Sequence, residues 1–554
     1  ARFNLLYVLY KFLYLKILIP RINISPKANG GFSKSTQKVE VKMALSKKIK
    51  TIEELSSVVK RLKLAGKRIV HCHGVFDLMH PGHVRHFHAA KALGDILVVT
   101  ITPNRYVNKG PGRPVFTEEL RAESVAALES VDFVAINLWP NAVETIKSLV
   151  PDIYVKGSDY ADDRGDETRA IMLEKEAAAS VGCAVHFTDD IMFSSTSLLN
   201  EYFGIYPEQS QEFLREFRKR YSAESVIEKL KTLKGLRVLV IGETILDEYA
   251  FVTPIGKPPK GNHIAARLLD SEVHAGGILA CANHLANFCG KVDLLTAIGN
   301  DGKEKFIRSH LKPNISPDFL YYTEAPTIVK KRFVDSAFLS KLFEIYEIDD
   351  KPSSYLERQI ILRLTTDVYF MPNYYDLILV LDYGHGLLTP RVINIICDRS
   401  EFLAVNAQTN TANAGYNLIT KYPRANYFCL DDKELRLAFQ DNYVHINTLI
   451  EQLAKKATLP GGVAVTRGHL GVTTYDSEKK YFYEAPVLSQ KIVDTTGAGD
   501  AFLAITAPCV AKGFPMDLVA FVGNAVGALA VGILGNRSSI EAESLFKFIK
   551  ALLK

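Results

Sequence analysis

The chain contains no CxxC pair. Its seven cysteines (Cys72, Cys183, Cys281, Cys289, Cys397, Cys429 and Cys509) are odd in number and widely scattered. That excludes a structural zinc ribbon or a disulfide framework and points to reduced thiols in a cytoplasmic setting. An uninterrupted apolar stretch of membrane-spanning length is also missing. Phe3 to Ile19 comes nearest, but Lys11 and Lys16 break it, and each Lys near a helix centre costs roughly 2.5 to 3.5 kcal/mol on insertion. No stable membrane insertion is expected. A surplus of positive charge is lacking as well: residues 1–42 hold eight Lys/Arg and one acid, and the remainder, with 59 bases against 60 acids, is near neutral. Without a basic stripe, nucleic acid is excluded as the main partner, because backbone binding needs clustered Lys and Arg. Anionic ligands should therefore be small. There is no internal repeat and no low-complexity tract.

What is present is ordinary globular composition, 47% hydrophobic and 23% charged over 554 residues, enough for a packed core and more than one domain. Residues 1–42 are almost free of acids, as transit peptides are. A soluble, amphipathic sequence opens at Met43, so the simpler expectation is a disordered extension or one lying upstream of the true start. From Arg68 onward, apolar runs (Arg68–Gly74, Asp95–Ile101, Val131–Ile136, Asp152–Val155, Ala184–Phe187) alternate with stretches of helical spacing. This alternation predicts an α/β fold with a parallel sheet covered by helices, whose ligands sit at the carboxyl ends of the strands. Residues 207–235 are highly charged and suit a helical connector. A second α/β series begins at Leu236, with additional short segments near 249 to 275. The expected division is 43–206, a 207–235 linker, and 236–554.

In the first half, HGVFDLMHPGHVRHFHAAKALGD places His80 and His83 three residues apart, after a strand and at the start of a helix. Both imidazoles can face one anion there, and the amides of a helix start add partial positive charge. Gly74 and Gly82 let backbone approach a ligand closely. His71, His73, His86 and His88 have no carboxylate or Cys at a matching offset, so ordinary strand and helix positions are expected for them.

With LRAESVAALESVDFV, VKGSDY and FSSTSLL, this block resembles the HxGH nucleotidyltransferases over residues 68 to 203, most closely the transferase half of the bifunctional heptose kinase/adenylyltransferases. Glycerol-3-phosphate cytidylyltransferases look like more distant relatives. The resemblance implies a Rossmann-like domain in which a sugar phosphate attacks the α-phosphorus of a nucleoside triphosphate. It implies that His80 and His83 hold the triphosphate and Lys156 neutralises phosphate charge. Gly74, Phe76, Gly82, Arg113, Arg121, Ser195 and Thr196 would bind nucleotide, and Mg²⁺ would accompany it.

In the second half, DTTGAGD at Asp494–Asp500 runs into an apolar helical stretch. Amides around Gly497, Ala498 and Gly499 can form an anion hole for a transferring phosphoryl group, and Asp500 can take a proton from an attacking hydroxyl. Together with LVIGETILDEY, HAGGILACANHLANFCG, LLTAIGNDG, VLDYGHG, VTRGHLG and GNAVGALAVGILG, the segment resembles the PfkB/ribokinase sugar kinases over roughly 236 to 540. That implies a ribokinase-like α/β sandwich with a small lid. Asp500 would be the general base, Thr466, Gly468 and Asn524 would lie near ATP, and Asp247, Gly276 and Gly277 would lie on the sugar side. Glu434 would bind metal through water.

Departures from the family pattern concentrate on the acceptor side. Ala280 replaces an Asn, Gly242-Glu243 replaces Gly-Asp, Asn406-Ala407-Gln408 replaces Asp-Pro-Lys, and Asp431 replaces the Asn of NxxE. The combined expectation is a bifunctional enzyme of nucleotide-sugar synthesis, with ATP and CTP, or ATP alone, as nucleotide substrates. Its domain order is the reverse of that in the familiar heptose enzymes. The alternative is a cytidylyltransferase for a polyol or alcohol phosphate carrying a degenerate kinase domain that regulates or oligomerises it. Homo-oligomer formation stays open.

Overall fold

The computed structural model describes residues 47–107, 109–157, 170–188, 206–322, 325–348, 353–366, 374–411, 413–489 and 492–554. The first half builds one six-stranded sheet from β1 (Ile49–Lys50), β2 (Ile69–Gly74), β3 (Ile96–Ile101), β4 (Phe133–Ile136), β5 (Ile153–Gly157) and β6 (Ala184–Thr188). Its order is β1-β4-β3-β2-β5-β6, and every pairing is parallel. The short edge strand β1 had no signal in the apolar pattern.

Helices α1 (Ile52–Leu64), α2 (Pro81–Lys91), α3 (Glu118–Ala126), α4 (Val143–Leu149) and α5 (Ala170–Ser180) cover the sheet. Strand alternation sends Val70, Cys72, Leu97 and Val99 to the face packed with Phe87 of α2 and Val125 of α3. Ile69 and Val98 turn the other way, onto Ile52, Leu55 and Val59 of α1. Thr51 and Glu54 close a capping box at the start of α1.

Helices α6 (Glu208–Arg218) and α7 (Ala223–Lys231) occupy the charged connector. Leu214, Phe217, Val226, Ile227 and Leu230 belong to the same buried cluster as the strands that follow, and Phe217 stacks on Phe521 at 4.2 Å. The high charge marks only their outer faces.

The second half is built on twelve strands: β7 (Arg237–Gly256), β8 (Ala265–Gly277), β9 (Lys291–Gly299), β10 (Ile315–Tyr322), β11 (Ile328–Asp335), β12 (Lys341–Glu347), β13 (Leu377–Asp382), β14 (Leu403–Ala407), β15 (Tyr427–Asp431), β16 (Gly462–Thr466), β17 (Val472–Asp476) and β18 (Tyr481–Ala485). The main sheet runs β10-β9-β7-β13-β14-β15-β16-β17-β18, parallel up to β16 and antiparallel at β17 and β18. Strand β7 extends beyond the main sheet and pairs there with β8 and β11, and β11 pairs with β12. These strands form the small lid.

Helices α8 (Ile278–Phe288), α9 (Glu304–Ser309), α10 (Ser354–Thr366), α11 (Pro390–Arg399), α12 (Asp432–Phe439), α13 (Ile446–Lys456), α14 (Ala498–Ala511), α15 (Met516–Ala530) and α16 (Ala542–Leu553) flank the sheet. Val238 and Val240 pack on the face of α8, α14, α15 and α16. Leu239 and Ile241 pack on the face of α10 to α13. Buried on both faces, the strand reads as a continuous apolar run.

All seven cysteines are free and buried. No helix among the described residues is long and apolar enough to cross a membrane.

Candidate active sites

The first site lies at the carboxyl end of β2. His80 is the N-cap of α2, in extended conformation, with Pro81 in the first turn; proline needs no hydrogen-bond partner there and presets the helical φ. The rings of His80 and His83 stack with centroids 3.8 Å apart. Phe76 meets His83 edge-on at 5.3 Å and Phe87 at 5.0 Å, so Phe76 acts as the packing block behind the imidazole. Burial, then His80, His86 and Lys109, push His83 down to about 3, and burial lowers His80 too. Both rings are therefore neutral hydrogen-bonding groups until an anion arrives to favour the charged form.

The other predicted residues of this half divide. Lys156, at the end of β5, places Nζ 3.0 Å from Glu174 Oε2. Glu174 also accepts from Tyr154 Oη at 2.9 Å and from the Ala142 amide at 2.9 Å. The Lys156 charge is thus balanced inside the protein, and that pair by itself leaves the ammonium N–H donors for a phosphate.

Arg121, expected at the nucleotide, stands in this structure as a brace between loops. It is 1% exposed and donates to Phe116 O (3.1 Å), Val75 O (2.5 Å), Thr102 O (2.9 Å) and Asn104 Oδ1 (2.7 Å). Four of its five N–H donors are spent joining three loops. Arg113 is likewise compensated, 3.8 Å from Asp77, with both side chains almost fully buried. Asp77 in turn accepts from the Val115 and Phe116 amides.

Gly74 and Gly82 lie at the strand end and in the first turn of α2, as expected. Ser195 and Thr196 lie outside the described residues. His71 and His73 both bond Thr100 Oγ1, at 2.8 and 2.9 Å, and His86 bonds Thr188 at 2.9 Å.

The second site lies where α14 begins. Gly497 is its N-cap at φ 79°, and a Cβ there would strike Asn536 Oδ1 at 2.2 Å. Both the left-handed backbone and the space require glycine. The Ala498 amide donates back to Thr495 O at 3.3 Å, so Gly497 and Gly499 are the better placed donors of the predicted hole.

Asp500 is 8% exposed and accepts from Gln408 Nε2 at 2.6 Å and Tyr383 Oη at 3.2 Å. Burial pushes it up to about 6 against the lowering effect of those two bonds, close to the value a base working near neutrality needs. Neither Gln408 nor Tyr383 was assigned a role from sequence. The signal was present in the departures themselves: Gln408 ends the altered Asn-Ala-Gln triplet, and Tyr383 follows β13 in DYGHG. Glu243 explains another departure. Fully buried, it reaches the amides of Tyr383 (3.0 Å) and His385 (3.1 Å) and so holds the loop that delivers Tyr383 to Asp500. Burial, with Asp382 nearby, raises Glu243 to about 7.

On the sugar side, Asp247 pairs with Arg332 (Oδ1 to Nη1, 2.5 Å) and accepts from Asn536 Nδ2 at 2.8 Å. A Cβ on Gly276 would meet Asp247 Oδ2 at 2.0 Å, so the glycine pair makes room for this carboxylate, and Gly277 then caps α8. Lys330 interacts with both Asp247 and Asp500. His385 is 1% exposed, faces Lys330, and has neither ring nitrogen hydrogen-bonded among the described residues. Asp494 ties the motif to the lid through Lys341 (3.0 Å) and to Tyr249 (3.0 Å).

On the nucleotide side, Thr466 ends β16 and Gly468 opens a tight turn at φ 56°. Asn524 spends its amide donors on Ala485 O (2.6 Å) and Pro486 O (2.9 Å). Glu434, expected near a metal-bound water, caps a helix in this structure. Its oxygens accept from the Asp431 amide (2.9 Å) and the Thr409 amide (3.1 Å), completing a capping box on α12. Burial and Asp431 raise it to about 8. No cluster of metal-ligating side chains occurs among the described residues.

Comparison with protein families matches residues 71–201 to "Cytidylyltransferase-like" and residues 391–543 to "pfkB family carbohydrate kinase". The chain carries one domain of each family. The "Bifunctional protein HldE" of Sulfurimonas denitrificans is 46% identical over 114 residues, 20% of this chain and 24% of that protein. The protein of the same name from Geotalea uraniireducens is 37% identical over 156 residues, 28% and 30% respectively. The chain thus spans under a third of the length of these relatives. Among solved structures, phosphofructokinase-2 from Escherichia coli covers 58% of this chain and 100% of its own, at 14% identity and TM-score 0.46. Ribokinase from Thermotoga maritima covers 57% and 99%, at 20% identity and TM-score 0.44.

Proposed function

We propose that the protein is a bifunctional enzyme of nucleotide-sugar synthesis. The pfkB domain transfers the γ-phosphoryl of ATP to a hydroxyl of a sugar or sugar phosphate. The cytidylyltransferase-like domain transfers a nucleotidyl group from CTP or ATP to a sugar 1-phosphate, releasing pyrophosphate. The observation that carries the reading is Asp500: a carboxylate poised near neutrality, beside glycine amides at a helix start, in a chain that also stacks two imidazoles at a second helix start.

In the kinase half, Asp500 accepts the proton of the attacking hydroxyl while Gly497 and Gly499 donate to the transferring phosphoryl group. Gln408 and Tyr383 hold the base in place. Lys330, near Asp247 and Asp500, gives the acceptor side a cationic group able to meet a phosphorylated sugar. In the transferase half, His80 and His83 donate to the triphosphate, and the sugar phosphate oxygen attacks without a covalent enzyme intermediate, so positioning and charge neutralisation supply the catalysis. Mg²⁺ enters bound to the nucleotide, as a component of each substrate.

The rival reading, a polyol-phosphate cytidylyltransferase with a degenerate kinase domain, draws on Asp247, whose carboxylate is already engaged by Arg332 and Asn536. A screen of sugars and sugar phosphates with ATP and CTP, read by phosphorus NMR, separates the two. The bifunctional reading expects new phosphomonoesters that vanish in Asp500→Asn and new diphosphates that vanish in His83→Ala. Diphosphates without any ATP-dependent phosphomonoester would establish the rival.

A further inference from the structure

Gly110 sits in the loop after β3, outside every motif considered above, yet it touches the far end of the chain. A Cβ on Gly110 would lie 2.1 Å from Cδ2 and 2.4 Å from Cε2 of Phe548. The loop backbone therefore rests directly on a phenyl ring of α16 that is fully buried in the core of the kinase half. Gly110 adopts φ 94°, and its carbonyl accepts from the Arg113 amide at 3.2 Å, so the ring supports a tight turn.

Arg113 at the end of that turn carries the ion pair to Asp77, and Asp77 fixes the next two amides. At the start of the turn stands Lys109, within electrostatic reach of His83. Its charged neighbours are Asp77, Arg113, Arg121 and Lys554, the last at the end of α16, and burial lowers it to about 8. No described residue gives Lys109 a hydrogen bond or ion pair. Lys109 is half-buried, and a partly desolvated ammonium among three other cations is favoured by an anion that joins it. The contact is anchored from the kinase side by Arg218 of α6, which donates to Leu552 O of α16 at 2.7 Å.

We propose that α16 of the kinase domain completes the nucleotidyl-transfer site: Phe548 is a positioning residue that holds the Lys109–Arg113 turn so that the Lys109 ammonium meets the triphosphate gripped at His80 and His83. This rests on the reading of the first site as a nucleotide site. The two domains are then one unit for nucleotidyl transfer, although their chemistries are separate. A side chain contributed from the opposite end of the chain acts on charge placement and not on the reacting atoms.

The test uses the full-length chain and four variants: Phe548→Leu, Gly110→Ala, Lys109→Ala, and Phe548→Leu combined with Lys109→Ala. Phe548→Leu and Gly110→Ala disturb the contact from its two sides. Each should raise KM for the nucleoside triphosphate by about tenfold, keep kcat of pyrophosphate release within about twofold, and leave ATP-dependent sugar phosphorylation intact. The double variant should show the KM of Lys109→Ala alone, because Phe548 acts through that ammonium. Hydrogen exchange at the amides of 110–116 should speed up in Phe548→Leu without ligand.

Multiplying KM effects in the double variant, or unchanged exchange at 110–116, would overturn the proposal whatever the turnover. Calorimetry of CTP and ATP binding separates the two readings. Triphosphate binding by the wild type without pyrophosphate release defeats the assigned reaction and leaves the variant cycle to be read in binding constants. Absence of binding by the wild type defeats both.

Discussion

Replacing Asp500 by Asn should stabilise the kinase domain while disabling it. The Asp500 carboxyl sits at about 6 in the folded chain because it is buried, against about 3.9 in an unfolded chain. Between those values the native state holds a proton that the unfolded state has lost, so stability falls as pH rises through the window. At about 1.4 kcal/mol for each tenfold step, the full cost of ionising this group in place approaches 3 kcal/mol above pH 6. Asn cannot ionise, and its carbonyl oxygen can still accept from Tyr383 and Gln408.

The stability difference between Asp500→Asn and wild type should therefore be small near pH 4 and grow to roughly 1 to 3 kcal/mol by about pH 7. Sugar phosphorylation should fall by roughly 10²- to 10⁴-fold, and nucleotidyl transfer should persist. Urea unfolding of the kinase transition across that pH range, with both activities measured on the same samples, checks all three statements. A difference independent of pH, or a variant less stable than wild type at neutral pH, would refute the electrostatic account of the base.

Gln408→Leu removes the shorter of the two bonds that favour the ionised form of Asp500. The acidic limb of the kinase pH profile should move up from about 6 by roughly one unit or more, with activity recovered at alkaline pH; an unmoved limb would separate Gln408 from the base. Arg121→Lys should unfold the first domain more readily, by about 3 kcal/mol, since a single ammonium cannot serve three carbonyls and Asn104 at once. A variant of normal melting temperature but raised nucleotide KM would restore Arg121 as a ligand. Glu243→Gln should lower kinase kcat with little effect on the sugar KM, because one of its two buried backbone acceptors becomes a donor and Tyr383 loses its support. An unchanged kcat, measured by steady-state phosphorylation, would dissociate that loop from catalysis.

The major strands of the first sheet were legible because each is a short apolar run bounded by turn residues, and in β2, β3 and β5 burial on both faces leaves no polar alternation to confuse with a loop. The two-residue β1 was not, since it carries too few side chains for any period to register. At 207–235 the helical character was legible from the charge but the packing was not: long charged side chains cover the outer face of α6 and α7, while Phe217 and Leu230 bury the other. Among the site residues, His80 with His83, and Asp500 with Gly497, share one helix start each, so local spacing was enough to pair them. The brace made by Arg121 and the cap made by Glu434 were not legible, because a motif position records the residue type and not which acceptors or donors fold back onto it.

The amino-acid order alone determined two α/β halves, the helix starts that present His80, His83 and Asp500, and the families of both halves, because these depend on contacts within a few residues or on patterns of burial. Only the tertiary structure decided that Gln408 and Tyr383 meet Asp500, that Arg332 meets Asp247, and that Phe548 lies beneath Gly110. Those pairs join residues tens to hundreds of positions apart, and their distances follow from how sheets and helices pack against one another.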